Sequence, residues 1–211
     1  MSEVHPLVSK FYPVVPDSDW LLRFAPLGIE TVQVRIKDKP LAAVRADIER
    51  SAGIARQYGC QLIVNDYWRE AISAGADFIH LGQEDLASAD IGAIKAAGVR
   101  IGVSTHDDAE LNTALACAPD YIALGPIYET KLKAMPWAPQ GLARVTAWKA
   151  KIGAIPLVAI GGMTMERATL ALEAGADSIA VITDFITHPD PERRVAEWVA
   201  WSKRHAIAGN R

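Results

Sequence analysis

The chain has 211 residues, 50% of them hydrophobic and 22% charged, with 15 Gly and 12 Pro. This is the composition of a soluble globular domain, and it excludes a disordered, collagenous or coiled-coil chain. A formal net charge of −3 and a pI near 6.0 speak against nucleic-acid binding, and no apolar run approaches the roughly 18–20 residues that span a bilayer.

In chain order, short β-branched or apolar runs alternate with helical patterns. Strands are expected near Phe11–Val15, Thr31–Ile36, Gln61–Val64, Phe78–Leu81, Arg100–Val103, Tyr121–Leu124, Pro156–Ile160 and Ser178–Ile182. Between them, helices are expected over Leu41–Tyr58, Tyr67–Ala74, Asp107–Cys117, Met165–Ala174 and Pro191–Lys203. A local theme recurs: a helical segment ends in Gly or a small residue, and a buried strand follows within a few positions. The string Ala-Gly-Ala-Asp does this twice, at Ala74–Asp77 and Ala174–Asp177. About eight such units at this length predict an α/β fold, a single (β/α)8 TIM barrel over 1–211. A doubly wound sheet would carry a Gly-rich turn after its first strand, and Pro16-Asp17-Ser18-Asp19 is not one. Residues 1–10 read as a peripheral arm and 205–211 as a frayed tail. The N-terminus lacks signal-peptide character, and the two cysteines, Cys60 and Cys117, form no C-x-x-C motif, so a reducing cytoplasm is expected.

In a barrel of this kind, chemistry belongs at the C-terminal strand ends. On the second strand, Gln33, Arg35 and Lys37 share one face, pointing into the barrel, where two cations are costly without an anion. Asn65-Asp66 and Gln83-Glu84-Asp85 follow the next two strands. Asp66 and Asp85 read either as helix N-caps or as a carboxylate pair suited to Mg²⁺. Ser104 follows the fifth strand and can donate to an oxyanion. His106 reads as structural and His80 as a core residue, and no His spacing suits zinc. The long sixth loop, with Thr130, Lys131 and Lys133, is suited to closing over phosphates. Gly161-Gly162 and Thr183 end the seventh and eighth strands, where barrels of this type commonly hold a phosphate on backbone N–H groups. The rim thus offers two anion sites, one cationic and metal-assisted, the other built from amides.

These residues sit in strings that resemble the thiamine phosphate synthase family. The strings are Gln33–Asp38, Val64–Arg69, His80–Leu86, Gly102–Asp107, Met135-Pro136 with Ala138–Leu142, and Val158–Gly162. The resemblance runs in order along nearly the whole chain. It implies a TIM-barrel transferase that joins a hydroxymethylpyrimidine diphosphate to a thiazole phosphate, plain or carboxylated, giving thiamine phosphate and pyrophosphate. It further implies Gln33 at the pyrimidine, and Arg35, Lys37, Asn65 and Ser104 at the diphosphate, with Thr130 and Lys133 in the covering loop. By the same resemblance Asp66 and Asp85 hold Mg²⁺, and Gly161, Gly162 and Thr183 seat the thiazole phosphate. The partners are then small molecules, with neither nucleic acid nor membrane, and with room for a homo-oligomer. The implied reaction is dissociative: the pyrimidine diphosphate ionises first and the thiazole nitrogen traps the cation, so leaving-group neutralisation matters more than a general base.

Four positions depart from the family pattern. Leu132 replaces the second Thr of Thr-x-Thr-Lys, Glu129 replaces a common Pro, and Thr183-Asp184 replaces Ser-Ala. A lost phosphate contact at Leu132 implies binding weaker by about 1–3 kcal/mol. The competing readings are a non-catalytic regulator that binds the same phosphates, a thiazole tautomerase, whose expected histidine is Pro126 here, and a phosphosugar isomerase, which wants a carboxylate and a His or Cys that no strand end supplies.

Overall fold

In a computed structural model that describes residues 8–130 and 137–208, eight parallel strands close into a barrel in sequence order, with β8 returning to β1. The strands are β1 (Phe11–Val15), β2 (Thr31–Val34), β3 (Gln61–Asn65), β4 (Phe78–Leu81), β5 (Arg100–Thr105), β6 (Tyr121–Leu124), β7 (Leu157–Ile160) and β8 (Ser178–Val181). The helices are α1 (Ser18–Phe24), α2 (Leu41–Tyr58), α3 (Trp68–Ala74), α4 (Gln83–Ser88), α5 (Ile91–Ala96), α6 (Asp108–Ala116), α7 (Gly141–Ile152), α8 (Met165–Glu173), α9 (Thr183–Ile186) and α10 (Pro191–Ala208). Every expected strand is present to within two residues at either end. Helices α1, α4, α5, α7 and α9 go beyond the sequence expectation.

Period-two alternation divides the core into two shells. One side-chain set, including Val32, Val34, Leu62, Val64, Ile79, Leu81, Ile101 and Val103, packs outward against the helices. The other, Val8, Tyr12, Val14, Ile63, Phe78, Tyr121, Ala123, Val158 and Ala180, fills the barrel. Strand β2 ends at Val34, so of the three polar residues expected on its inner face only Gln33 lies within the strand. Arg35 is half-buried and Lys37 exposed, on the rim above it.

The repeated aspartates close the bottom of the barrel. Asp77 Oδ2 accepts from Leu62 N at 2.8 Å, Asp120 Oδ2 from Ile101 N at 2.7 Å and Asp177 Oδ2 from Leu157 N at 2.8 Å. In each case the residue just before or at the start of one strand satisfies an amide at the start of the preceding strand, a donor that would otherwise lack a partner. The repeat is therefore a pin between neighbouring strands, on the face opposite the site.

At the described residues near each end, the structure departs from the sequence expectation. Val8 and Ser9 are buried rather than peripheral: Val8 joins the interior cluster, and Ser178 Oγ donates to Ser9 O at 2.5 Å. Helix α10 runs through the expected tail to Ala208. His205 packs on Trp201 with ring centroids 4.3 Å apart, and the pair continues the outer core.

Candidate active site

The eight strand ends open into one cavity of about 550 Å³. Gln33, Arg35, Lys37, Asn65, Asp66, Asp85, Ser104, Thr130, Gly161, Gly162 and Thr183 all line it. Lys133, Lys131 and Leu132 lie outside the described residues. The cavity floor is apolar, with Val14, Ile160, Ala180 and Ile182.

On the β2–β4 side, charge converges. Lys37 Nζ donates to Asp66 Oδ2, and the Asp66 carboxylate lies within hydrogen-bonding reach of Asp85. Burial, reinforced by Asp66, pushes the Asp85 carboxyl above the usual carboxylate range, against the opposing effect of Lys37. Neither aspartate caps a helix. Tyr67 precedes α3 without a side-chain bond, and Gly82 precedes α4. Asp66 also holds a left-handed backbone, φ 66°, uncommon for a non-glycine residue though Asp adopts it more readily than most. Such conformations cluster at functional sites, and here the turn directs a carboxylate to the rim. Among the described residues no group of three or more His, Cys, Asp or Glu side chains gathers for a metal. Two adjacent carboxylates nonetheless match what Mg²⁺ takes from a protein when water and substrate phosphate supply the remaining oxygens.

Ser104 is held from below. Its hydroxyl is 2.8 Å from His80 Nε2, and His80 Nδ1 is 2.8 Å from the Tyr121 hydroxyl. Gln83 Nε2 donates to Ser104 O at 2.7 Å. Burial, helped by the positive charge of Arg35 and opposed by Asp66, pushes the His80 imidazole down to about 4, so it is neutral at physiological pH. His80 is thus no mere core residue: it lines the cavity and touches a predicted site side chain. Its signal in the sequence is a polar residue at an inward-facing position near a strand end. His106 also lines the cavity, and its ring is held by structural contacts. Glu110 Oε2 accepts from both its backbone N and its Nδ1 at 2.7 Å, and its ring stacks on Trp137 at 5.2 Å.

On the β7–β8 side, Gly161 and Gly162 have φ of 100° and 65°. A Cβ on Gly161 would stand 2.7 Å from Pro126, and one on Gly162 would stand 2.5 Å from Glu129 O. Glycine is therefore required both by backbone conformation and because the stem of the sixth loop crosses directly over these residues. That stem is bonded down, Ile127 N to Ile160 O at 2.9 Å and Tyr128 N to Gly161 O at 3.1 Å. Two of the unusual positions are also explained. Glu129 is exposed and does not line the cavity. Asp184 turns away from it: Arg194 Nε donates to Asp184 Oδ2 at 2.7 Å, Arg194 Nη2 to Oδ1 at 3.3 Å and Trp198 Nε1 to Oδ2 at 2.7 Å. This clamp fixes α9, whose first residue is Thr183, onto α10.

Cations, a carboxylate pair and paired glycines on the C-terminal rim of a closed (β/α)8 barrel define a barrel enzyme that handles phosphate esters. The sequence profile of a family described as thiamine monophosphate synthase matches residues 12–185. The chain belongs to this family. It is 56% identical over 190 residues to the thiamine-phosphate synthase of Rhizobium etli, covering 90% of this chain and 93% of that one. It is 50% identical to the thiamine-phosphate synthase of Cronobacter sakazakii, with 85% of each chain covered. Among solved structures, a thiamine phosphate pyrophosphorylase from Pyrococcus furiosus superposes with a TM-score of 0.79 at 26% identity, over 92% of this chain and 96% of that one. An orotidine 5'-phosphate decarboxylase from Pyrococcus horikoshii, at 15% identity and a TM-score of 0.65, shares the fold alone.

Proposed function

We propose that this chain is a thiamine phosphate synthase that condenses a hydroxymethylpyrimidine diphosphate with a thiazole phosphate, releasing pyrophosphate. One observation carries the reading: a single cavity unites the Arg35, Lys37, Asn65 and Ser104 cluster with the Gly161, Gly162 and Thr183 cradle. Two phosphorylated substrates can therefore face each other across an apolar floor.

Arg35, Lys37, Asn65 and Ser104 bind the diphosphate, and Gln33 meets the pyrimidine. Backbone N–H groups at Gly161 and Gly162, with Thr183, hold the thiazole phosphate and aim its nitrogen at the pyrimidine methylene. The bond between methylene carbon and diphosphate oxygen breaks, its electron pair leaving with the diphosphate, and the thiazole nitrogen lone pair forms the new C–N bond. No proton needs to be removed, which fits a cavity built for neutralising charge rather than for general-base chemistry. Asp66 and Asp85 would hold Mg²⁺, which when bound supplies further positive charge against the departing diphosphate. Lys37 keeps Asp66 oriented for that task. Thr130 lines the same cavity and would add a hydroxyl contact to the diphosphate, and Lys133, outside the described residues, is assigned to the same ligand by the family resemblance alone.

The test is pyrophosphate release by purified protein given both substrates, with and without Mg²⁺. Metal-dependent release matched by thiamine phosphate is the expected result. Binding of both ligands without release would overturn the reading in favour of a regulator.

A further inference from the structure

Below the diphosphate residues lies a buried polar chain. His80, Gly102 and Tyr121 are lateral neighbours on β4, β5 and β6. Because Gly102 has no side chain, the Tyr121 ring leans across it and its hydroxyl reaches His80 Nδ1 at 2.8 Å. His80 Nε2 in turn meets the Ser104 hydroxyl at 2.8 Å. On its other side, the Tyr121 hydroxyl faces the Tyr12 hydroxyl and the Gln33 side chain. We propose that Tyr121, acting through His80, fixes the direction of this chain so that Ser104 keeps its hydroxyl proton for an anionic oxygen of the bound diphosphate. The inference rests on the assignment of Ser104 to that ligand under Proposed function.

The chain can run two ways. If His80 Nδ1–H donates to Tyr121, Nε2 is an acceptor and Ser104 spends its only proton on the imidazole. Ser104 can then only accept, which is useless towards an anion. If Tyr121 O–H donates to Nδ1, the imidazole proton sits on Nε2 and points at Ser104 Oγ. The Ser104 proton is then free to point into the cavity.

Donor and acceptor strength selects the second direction. A phenol is a stronger donor than an aliphatic hydroxyl, and an imidazole nitrogen is a stronger acceptor than a phenolic oxygen. The surroundings of Tyr121 accommodate this direction. Its oxygen can accept from Tyr12 and from the Gln33 amide while its own proton goes to His80. The direction from Tyr121 through His80 to Ser104 joins the stronger donor to the stronger acceptor, and it is the one that leaves the Ser104 proton for the ligand. Tyr121 and His80 are on this account positioning residues.

The experiment has two parts, both on the full chain. Long-range ¹H–¹⁵N correlation spectra of protein labelled at histidine read the tautomer directly, with His80→Gln identifying the His80 signals. Nε2 protonated and Nδ1 bare is expected; Nδ1 protonated overturns the proposal. This measurement needs no variant of Tyr121. The second part is a double-mutant cycle of Tyr121→Phe and Ser104→Ala, read as kcat/KM for the pyrimidine diphosphate at saturating thiazole phosphate. Each single variant should lose about tenfold, the worth of a hydrogen bond to a charged group, and the double variant should be no worse than Ser104→Ala. Multiplying losses would mark Tyr121 as merely structural and overturn the proposal. An unimpaired Ser104→Ala would refute the assignment of Ser104 to the diphosphate, and the proposal with it, whatever tautomer His80 shows. A protonated Nδ1 beside an impaired Ser104→Ala refutes the chain direction alone.

Discussion

Adding one methyl group to this barrel should have opposite effects at two glycines, and the sizes follow from the surroundings. A Cβ at Gly102 would stand 2.0 Å from Cζ of Tyr121, 2.3 Å from Cε1 and 2.5 Å from Cε2. Ordinary carbon contacts lie near 3.5–4.0 Å, so the ring must retreat by roughly 1.5 Å or more. It has nowhere to go: Tyr121 is fully buried, stacked on His80 at 5.6 Å and edge-on to Phe78 at 5.8 Å. Overpacking of this kind costs about 1–3 kcal/mol, and losing the bond to His80 leaves buried polar groups unpaired at about 1–3 kcal/mol more. Gly102→Ala should therefore destabilise by about 3–5 kcal/mol, lowering Tm by of order 10 °C for a chain of this size. Gly53, exposed in the middle of α2, has nothing within 4 Å of its added Cβ. There, Gly53→Ala should stabilise by about 0.5–1 kcal/mol through helix propensity and a less flexible unfolded chain. Thermal and urea unfolding of the two variants beside the parent decide the matter. A Gly102→Ala protein melting within a degree or two of the parent would refute the packing argument.

Three further outcomes are expected. Asp85→Asn should abolish Mg²⁺-dependent turnover and any Mg²⁺-induced rise in Tm, while leaving the metal-free Tm equal to the parent's or higher, because a like charge beside Asp66 is removed; turnover with unchanged Mg²⁺ dependence would remove Asp85 from the metal site. Asp184→Ala leaves Arg194 and Trp198 without their shared acceptor, which should cost about 2 kcal/mol and raise KM for the thiazole phosphate more than that for the pyrimidine diphosphate; equal changes in both would deny the clamp any hold on Thr183. Finally, His80 has its folded value near 4, against about 6.5 in the unfolded chain, so below pH 6.5 the unfolded chain binds a proton that the fold refuses. Stability should fall as pH drops from about 6.5 to 4, by about 3 kcal/mol in all, and level off below; in urea titrations across this range His80→Gln should lack that component.

Much of the molecule was written locally. The strands were legible because each is a short apolar run with period two, entered through a glycine or small-residue helix end. The rim residues were legible because polar side chains such as Arg35, Asp66, Asp85 and Ser104 sit where such runs stop. The missed helices lacked local signals: α4, α5 and α9 are six, six and four residues long, too short for a 3.6-residue period to register. Helix α7 starts after Gln140, which makes no side-chain cap, so its Val145, Trp148 and Ile152 stripe had no start signal.

What remained was decided in three dimensions. Nothing in the neighbourhood of Asp184 shows that it faces Arg194 and Trp198 on α10 rather than the ligand. Nothing near Gly102 shows that the empty place of its side chain is filled by Tyr121, nineteen positions on by β5–β6 register. Asp77 and Asp177 look like helix-end punctuation in sequence, yet each satisfies an amide on another strand. The sequence by itself determined which residues alternate, turn and bear charge, because those properties depend on neighbours within a few positions. Only barrel closure decided which of them meet, because a hydrogen bond such as His80 to Ser104 depends on register between strands, a quantity that no single strand contains.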